Sequence, residues 1–266
     1  MSLIYDVSFD SGTRVLSLLD KEGNVISSCE VPSKEVDDIT KPLTFKATQD
    51  GSTVKLIKFN SPIGAFQTSR DGGKTWKGYT IGTAITLNIG DEVSFRAKAD
   101  RTSAQGPNNV FYFEMTGKIE AWNNVMSLYR TNDFATYESV VSYAFNHLFW
   151  NCTSLTKAPA LPATTLAQSC YDNMFVNCPS LTKAPALPAT TLADYCYAYM
   201  FRGCQSLKEV RIAATTTATD ALTDWLKGVS DIGDFYCDPN ATIFPTDSAS
   251  GIPYGWNRHN IADYPN

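Results

Sequence analysis

The chain has 266 residues, 43% hydrophobic and 18% charged, with a net charge of −5, long enough to bury a sizeable core in one to three domains. No Lys/Arg cluster supplies the electrostatic footprint of a nucleic-acid binder, and no apolar run reaches membrane-spanning length. The opening MSLIYDVSFD lacks the basic and apolar regions of a secretory signal, so export by the general secretory route is not expected.

Residues 1–32 read as a three-stranded β meander. Leu3, Tyr5, Val7 and Phe9 alternate, DSG turns the chain, RVLSLL follows, KEGN turns it again and VISSCEV closes. Such a piece is marginal alone, so it is expected to be an anchor or oligomerisation segment, with Leu3, Tyr5, Val7 and Phe9 as its docking residues. The polar, proline-bounded residues 33–41 read as a linker.

Residues 42–118 carry seven strand-like runs: LTFKAT, TVKLIKF, AFQTS, TWKGYT, AITLNI, EVSFRAKA and VFYFEMTG. Turn signals separate them, which predicts a small β-sandwich. Within this region Ser69, Asp71, Gly73, Thr75 and Trp76 fit the S-x-D-x-G-x-T-W pattern called the Asp box, best known from sialidase propellers. A propeller needs several four-stranded blades of about 40–45 residues, and this region has room for fewer than two. The motif is therefore expected to clamp a hairpin. Asp71 would accept bonds from turn N–H groups, Gly72 and Gly73 would take positive φ, and Thr75 and Trp76 would start the next strand.

Residues 119–230 are organised by a 26-residue period. CTSLTKAPALPATTLAQSCYDNMFVN and the following CPSLTKAPALPATTLADYCYAYMFRG agree at 19 of 26 positions. The step relates Cys152, Cys178 and Cys204; Cys170 and Cys196; Leu155, Leu181 and Leu207; and Phe149, Phe175 and Phe201. It falls in the range of leucine-rich repeats. Each unit is expected to pair a short strand around KAPALP with its neighbour and to return through a short helix such as LADYCYAYMF. The equivalent Leu, Phe and Cys side chains then stack as ladders. The cysteines are expected to be buried thiols, since the spacing converges on no metal and in-register stacking is too wide for a disulfide. Residues 231–266 are expected to cap the solenoid. The predicted fold is thus mostly β with α/β repeats: meander, sandwich, short solenoid and cap.

The sequence offers little catalytic machinery. Its two histidines, His147 and His259, stand alone, the pairs Asp37/Asp38 and Asp91/Glu92 fall in a linker and a turn, and no nucleophile-elbow, phosphate-loop or zincin motif occurs. No metal or cofactor is expected, and a glycosidase built on the Asp box is the reading set aside. Binding is better supported. Ser169 and Asn173 of one repeat become Tyr195 and Tyr199 in the next. Tyrosines four apart on a helix share a face and suit stacking on sugars or proteins, unless Trp225 or Trp256 folds over them. Tyr254 and Trp256 are a second aromatic candidate, for which capping competes with binding.

The repeats and the β-region before them resemble the BspA-like leucine-rich-repeat proteins of gut Bacteroidetes and of the crAss-like phages that infect them. The DFYCDPNATIFPTDSASGIPYGWNRHNI segment resembles their closing part, and YDVSFDSGTRVLSLLDKEGNVISSCEVP resembles, more weakly, β elements that open phage fibre proteins. The resemblance implies a non-enzymatic virion protein, a head fibre or capsid decoration. Its N-terminus would dock on capsid or other virion proteins and on copies of itself, and its repeats would meet host-surface or mucosal glycans or proteins. The expected location is the particle surface, without nucleic-acid binding or membrane insertion. The alternative is a Bacteroidetes cell-surface adhesin of the same repeat type.

Overall fold

The computed structural model describes residues 6–10, 15–30, 36–59, 64–101, 106, 110–246 and 248–264. Among them the chain is mostly β, with fifteen short strands and two 3-10 helices. It forms two compact units, Met1–Asp37 and Asp38–Asn266.

The first unit is an antiparallel meander in which β1 (Asp6–Asp10), β2 (Val15–Leu19) and β3 (Val25–Glu30) lie in sequence order. Asp20 builds its second turn: one carboxylate oxygen accepts from the N–H groups of Glu22 (2.9 Å) and Asn24 (2.8 Å), and Gly23 takes φ +82°. Val7, Val25 and Ile26 are exposed. Of the expected docking residues, Leu3, Tyr5 and the side chain of Phe9 lie outside the described residues.

In the second unit all seven strand-like runs of 42–118 contain a strand. These are β4 (Thr44–Ala47), β5 (Ser52–Phe59), β6 (Phe66–Ser69), β7 (Lys77–Tyr79), β8 (Ile85–Leu87), β9 (Glu92–Ala97) and β10 (Val110–Thr116). Two further strands, β11 (Ile119–Trp122) and β12 (Leu155–Lys157), lie beyond residue 118. One sheet runs β10-β5-β8 and the other β12-β11-β4-β9-β6-β7. Alternation turns Phe45 and Phe95 of the larger sheet toward Phe113 of the smaller, with ring centroids 4.6 and 5.2 Å apart. Phe113 also stacks on Phe149 at 5.6 Å, so the sheets and the repeats share one core and no unit boundary falls at 118. At this junction the buried Asn124 caps a 3-10 helix over Val125–Leu128 and bridges the carbonyls of Ile39 and Phe134.

Successive 26-residue units lie in hydrogen-bonded contact, but not through the expected helices and strands. The LADYCYAYMF segment is a run of turns. Every fourth residue is left-handed: Tyr143, His147 and Asn151; Ser169, Asn173 and Asn177; Tyr195, Tyr199 and Gly203; Asp220, Asp224 and Gly228, all with φ between 47° and 77°. Alternate N–H groups leave the unit. Phe149 donates to Met174 O (2.9 Å), Phe175 to Met200 O (2.9 Å) and Phe201 to Trp225 O (2.8 Å). The residues between them close turns three residues back, as Met174 does onto Tyr171 (3.2 Å). An α-helix directs all its N–H groups inward along its own axis. This ribbon sends half of them to the neighbour, so it satisfies its backbone only as part of a stack.

The two KAPALP segments meet the expectation only in part, since each pairs with one neighbouring unit but not with the other KAPALP segment. No ladder or bridge joins residues 157–162 to 183–188, because Pro159, Pro162, Pro185 and Pro188 supply no N–H. Bridges form instead to flanking units, Asn124 with Ala160 and Leu187 with Ile212. The stacking continues past residue 230: β13 (Glu209–Arg211), β14 (Gly233–Cys237) and β15 (Trp256–Asn260) form a parallel sheet in that order, the last two beyond 230. No helix among the described residues is long and apolar enough to cross a membrane.

Candidate binding surfaces

The ladder residues form the interior. Phe149, Phe175 and Phe201 are fully buried and stacked at 5.3 and 5.5 Å with nearly parallel rings. A second column runs Phe145, Tyr171, Tyr197 and Trp225, spaced 5.7 to 6.5 Å. Leu155, Leu181 and Leu207 are fully buried as well. The cysteines have a repeated task. Cys152 Sγ donates to Phe113 O (3.0 Å), Cys178 to Phe149 O (3.1 Å) and Cys204 to Phe175 O (3.0 Å). Each thiol therefore satisfies a carbonyl of the preceding layer. Cys152, Cys170, Cys178, Cys196, Cys204 and Cys237 are all free and buried. Burial pushes the Cys170 and Cys178 thiols well up and Cys196 to about 12, away from the thiolate that reacts or binds metal. Among the described residues no three His, Cys, Asp or Glu side chains gather as a metal site.

The Asp-box residues join β6 to β7, which starts at Lys77 rather than at Thr75 and Trp76 as expected. Ser69 Oγ donates to Asp71 (2.6 Å) and accepts from the Gly73 N–H (2.9 Å). Asp71 accepts from the Thr75 N–H (2.9 Å) and hydroxyl (2.6 Å). The Trp76 indole N–H returns to Gly73 O (2.9 Å), and Arg96 lies 4.2 Å over the ring. Bonds from Ser69 and Thr75 hold the Asp71 carboxyl far below the usual carboxylate range. Every polar arm is spent on the turn, and a carboxylate so fixed as an anion has no proton to give in general acid catalysis.

The tyrosine pair is not on a helix, yet Tyr195 and Tyr199 occupy equivalent places in the four-residue ribbon, both left-handed. Tyr195 is 38% exposed, and the Asp220 carboxylate of the next unit raises the pKa of its hydroxyl. Tyr199 is half-buried, with Arg202 5.7 Å over its ring. Trp225 packs in the interior against Tyr197, Phe201, Phe235 and Phe244. Tyr254 is 81% exposed, but Trp256 is buried, its indole bonded to Ser230 O (2.7 Å) beneath Gly233. These two neighbours in sequence therefore do not form one aromatic surface. His259 pairs with Asp234 (2.7 Å) and stacks on Tyr236.

Two features had no clear sequence signal. The first is a cleft of about 390 Å³ where the outward face of β5 and β10 meets the corner of the first repeat. Its floor carries the Lys55–Glu114 ion pair and the hydroxyls of Thr53 and Thr116, bonded at 2.7 Å. Its wall is Trp150, 40% exposed and held edge-on by Tyr112 (6.4 Å) and His147 (6.1 Å). At the equivalent place the next units have Val176 and Arg202, so the indole is no part of the stacking pattern. The second is Asp172, half-buried between layers beside Asn146, whose place in the next unit is Ala198. Asn173 Nδ2 donates to it at 2.6 Å, but burial dominates and raises its carboxyl to about 7. Comparison with family models, curated proteins and solved structures found no match to this chain.

Proposed function

We propose that the protein is a non-enzymatic virion structural protein, a head fibre or capsid decoration of the BspA-like, crAss-like phage type. Its N-terminal meander attaches to capsid or other virion proteins, and a short leucine-rich-repeat solenoid with its capping strands is displayed for binding. The observation that carries this reading is the division of labour between the two compact units. A three-stranded meander of this size is marginal alone and gains by pairing with a partner or a second copy, and Val7, Val25 and Ile26 stand exposed on it. The larger unit is a continuous stack whose repeated thiols, aromatics and Asp-box carboxylate are all engaged in holding it together, while Tyr195, Tyr254 and Trp150 stand at its surface. That is the character of a rigid display scaffold.

Quantitative proteomics of purified phage particles and of host outer-membrane fractions tests the reading. Enrichment in particles at a fixed ratio to the capsid protein is the expected result. Recovery only from the host envelope would replace it with the adhesin alternative.

A further inference from the structure

We propose that the cleft between the β5–β10 face and the Trp150 corner is a binding site for a neutral saccharide. The inference goes beyond the display function and does not depend on it, since it concerns the purified protein alone.

Three properties of the cleft select the ligand. Its volume, about 390 Å³, lies within the roughly 300–1,000 Å³ of small-molecule sites. Its wall carries the Trp150 indole, and an aromatic ring attracts the weakly positive C–H groups on one side of a pyranose. Tyr112 and His147 fix the plane of that indole, so little side-chain freedom is lost on binding. Its floor supplies Thr53 and Thr116 hydroxyls, which donate and accept, beside an ammonium that only donates and a carboxylate that only accepts. Vicinal sugar hydroxyls need that mixture, because each is itself both donor and acceptor.

The charge argues against the competing ligand classes. Lys55 and Glu114 cancel each other, so a phosphate or sulfate ester would meet a cation already paired and a carboxylate that repels it. A purely apolar ligand would strand the same pair without water, at a cost in free energy. An uncharged polyhydroxyl ligand leaves the ion pair intact and adds hydrogen bonds to its outer edges. Trp150 is also out of pattern: the stack needs no indole there, as Val176 and Arg202 fill the same place in the next two layers.

The test is calorimetric titration of the full chain with malto-, cello-, xylo-, manno- and chito-hexaose. At least one of these is expected to bind saturably with Kd below about 5 mM. Trp150→Ala is expected to weaken it by about tenfold or more, and Glu114→Gln by about threefold or more. Tyr195→Ala/Tyr199→Ala is expected to leave it unchanged, which separates this site from the tyrosine pair. Glu114 is exposed and lies outside the core, so its variant keeps the test sound if Trp150→Ala misfolds. Absence of saturable binding across the five sugars would overturn the proposal. So would binding that survives both cleft substitutions.

Discussion

Replacing Asp172 by asparagine should stabilise the protein at neutral pH and above, and leave it nearly unchanged in acid. In the folded chain the carboxyl is half-buried between layers with no cation beside it among the described residues, and its pKa rises from the ordinary 3.8 to about 7. The neighbouring groups are Asn146, Asn173 and the His147 backbone, and burial lowers the His147 pKa, so the imidazole offers no compensating charge at neutral pH. Because the folded pKa is raised, the unfolded chain releases its proton first. The contribution to stability is complete below pH 3.8, falls as pH rises toward 7 and is flat beyond. At about 1.4 kcal/mol per pH unit the ceiling is about 4 kcal/mol. The group is only half-buried, and solvent screening reduces this to about 1–2 kcal/mol. Urea unfolding of both proteins at pH 4 and pH 8 isolates the effect, because all other titrating groups cancel in the difference. Asp172→Asn should gain about 1–2 kcal/mol on wild type between the two pH values. An equal difference at both, or a variant less stable at pH 8, would refute the desolvation account.

Phe175→Ala removes the middle ring of the buried column between Phe149 and Phe201 and should cost about 3–5 kcal/mol in urea unfolding; a loss under about 1 kcal/mol would mean the layers close over the gap. The buried thiols donate to carbonyls, so Ellman's reagent should label Cys152, Cys178 and Cys204 only after denaturation, and rapid labelling of native protein would contradict their placement. Asp71→Asn should lower the melting temperature at pH 7. The folded pKa of Asp71 is depressed, so this stabilisation is complete above the ordinary carboxylate pKa and is lost as pH falls from there through the lower folded value. The gap between variant and wild type should therefore close in acid, and a gap independent of pH would show that the carboxylate charge is irrelevant to the turn.

The β-strands were legible in the sequence where local rules govern. From 42 to 118, period-two alternation between glycine- and proline-marked turns located every strand, and the Asp-box turn followed from hydrogen-bonding capacity alone. IEAW, which becomes β11, is too short to show a period and owes its strand to β4 and Leu155 on either side. The helix expectation failed because a four-residue turn ribbon and an α-helix both place apolar residues at i and i+4. The separating clue was the left-handed column itself, where Asn151, Asn173, Asn177, Gly203 and Gly228 recur at residue types that tolerate positive φ. The prolines of KAPALP announced that the segment could not be a central strand. Trp150 was hidden because its meaning depends on β10 lying opposite, a contact far apart in sequence. Asp172 was hidden because desolvation is a property of the layers above and below it.

The most direct measurement on the proposed role is electron cryomicroscopy of purified phage particles, with the chain identified by an antibody fragment against the 38–266 unit. The account predicts density for this chain on the particle surface, attached through its N-terminal meander, with the Trp150 and Tyr195 surfaces accessible to solvent. Particles without the chain, or with it attached through the stacked repeats, would contradict it.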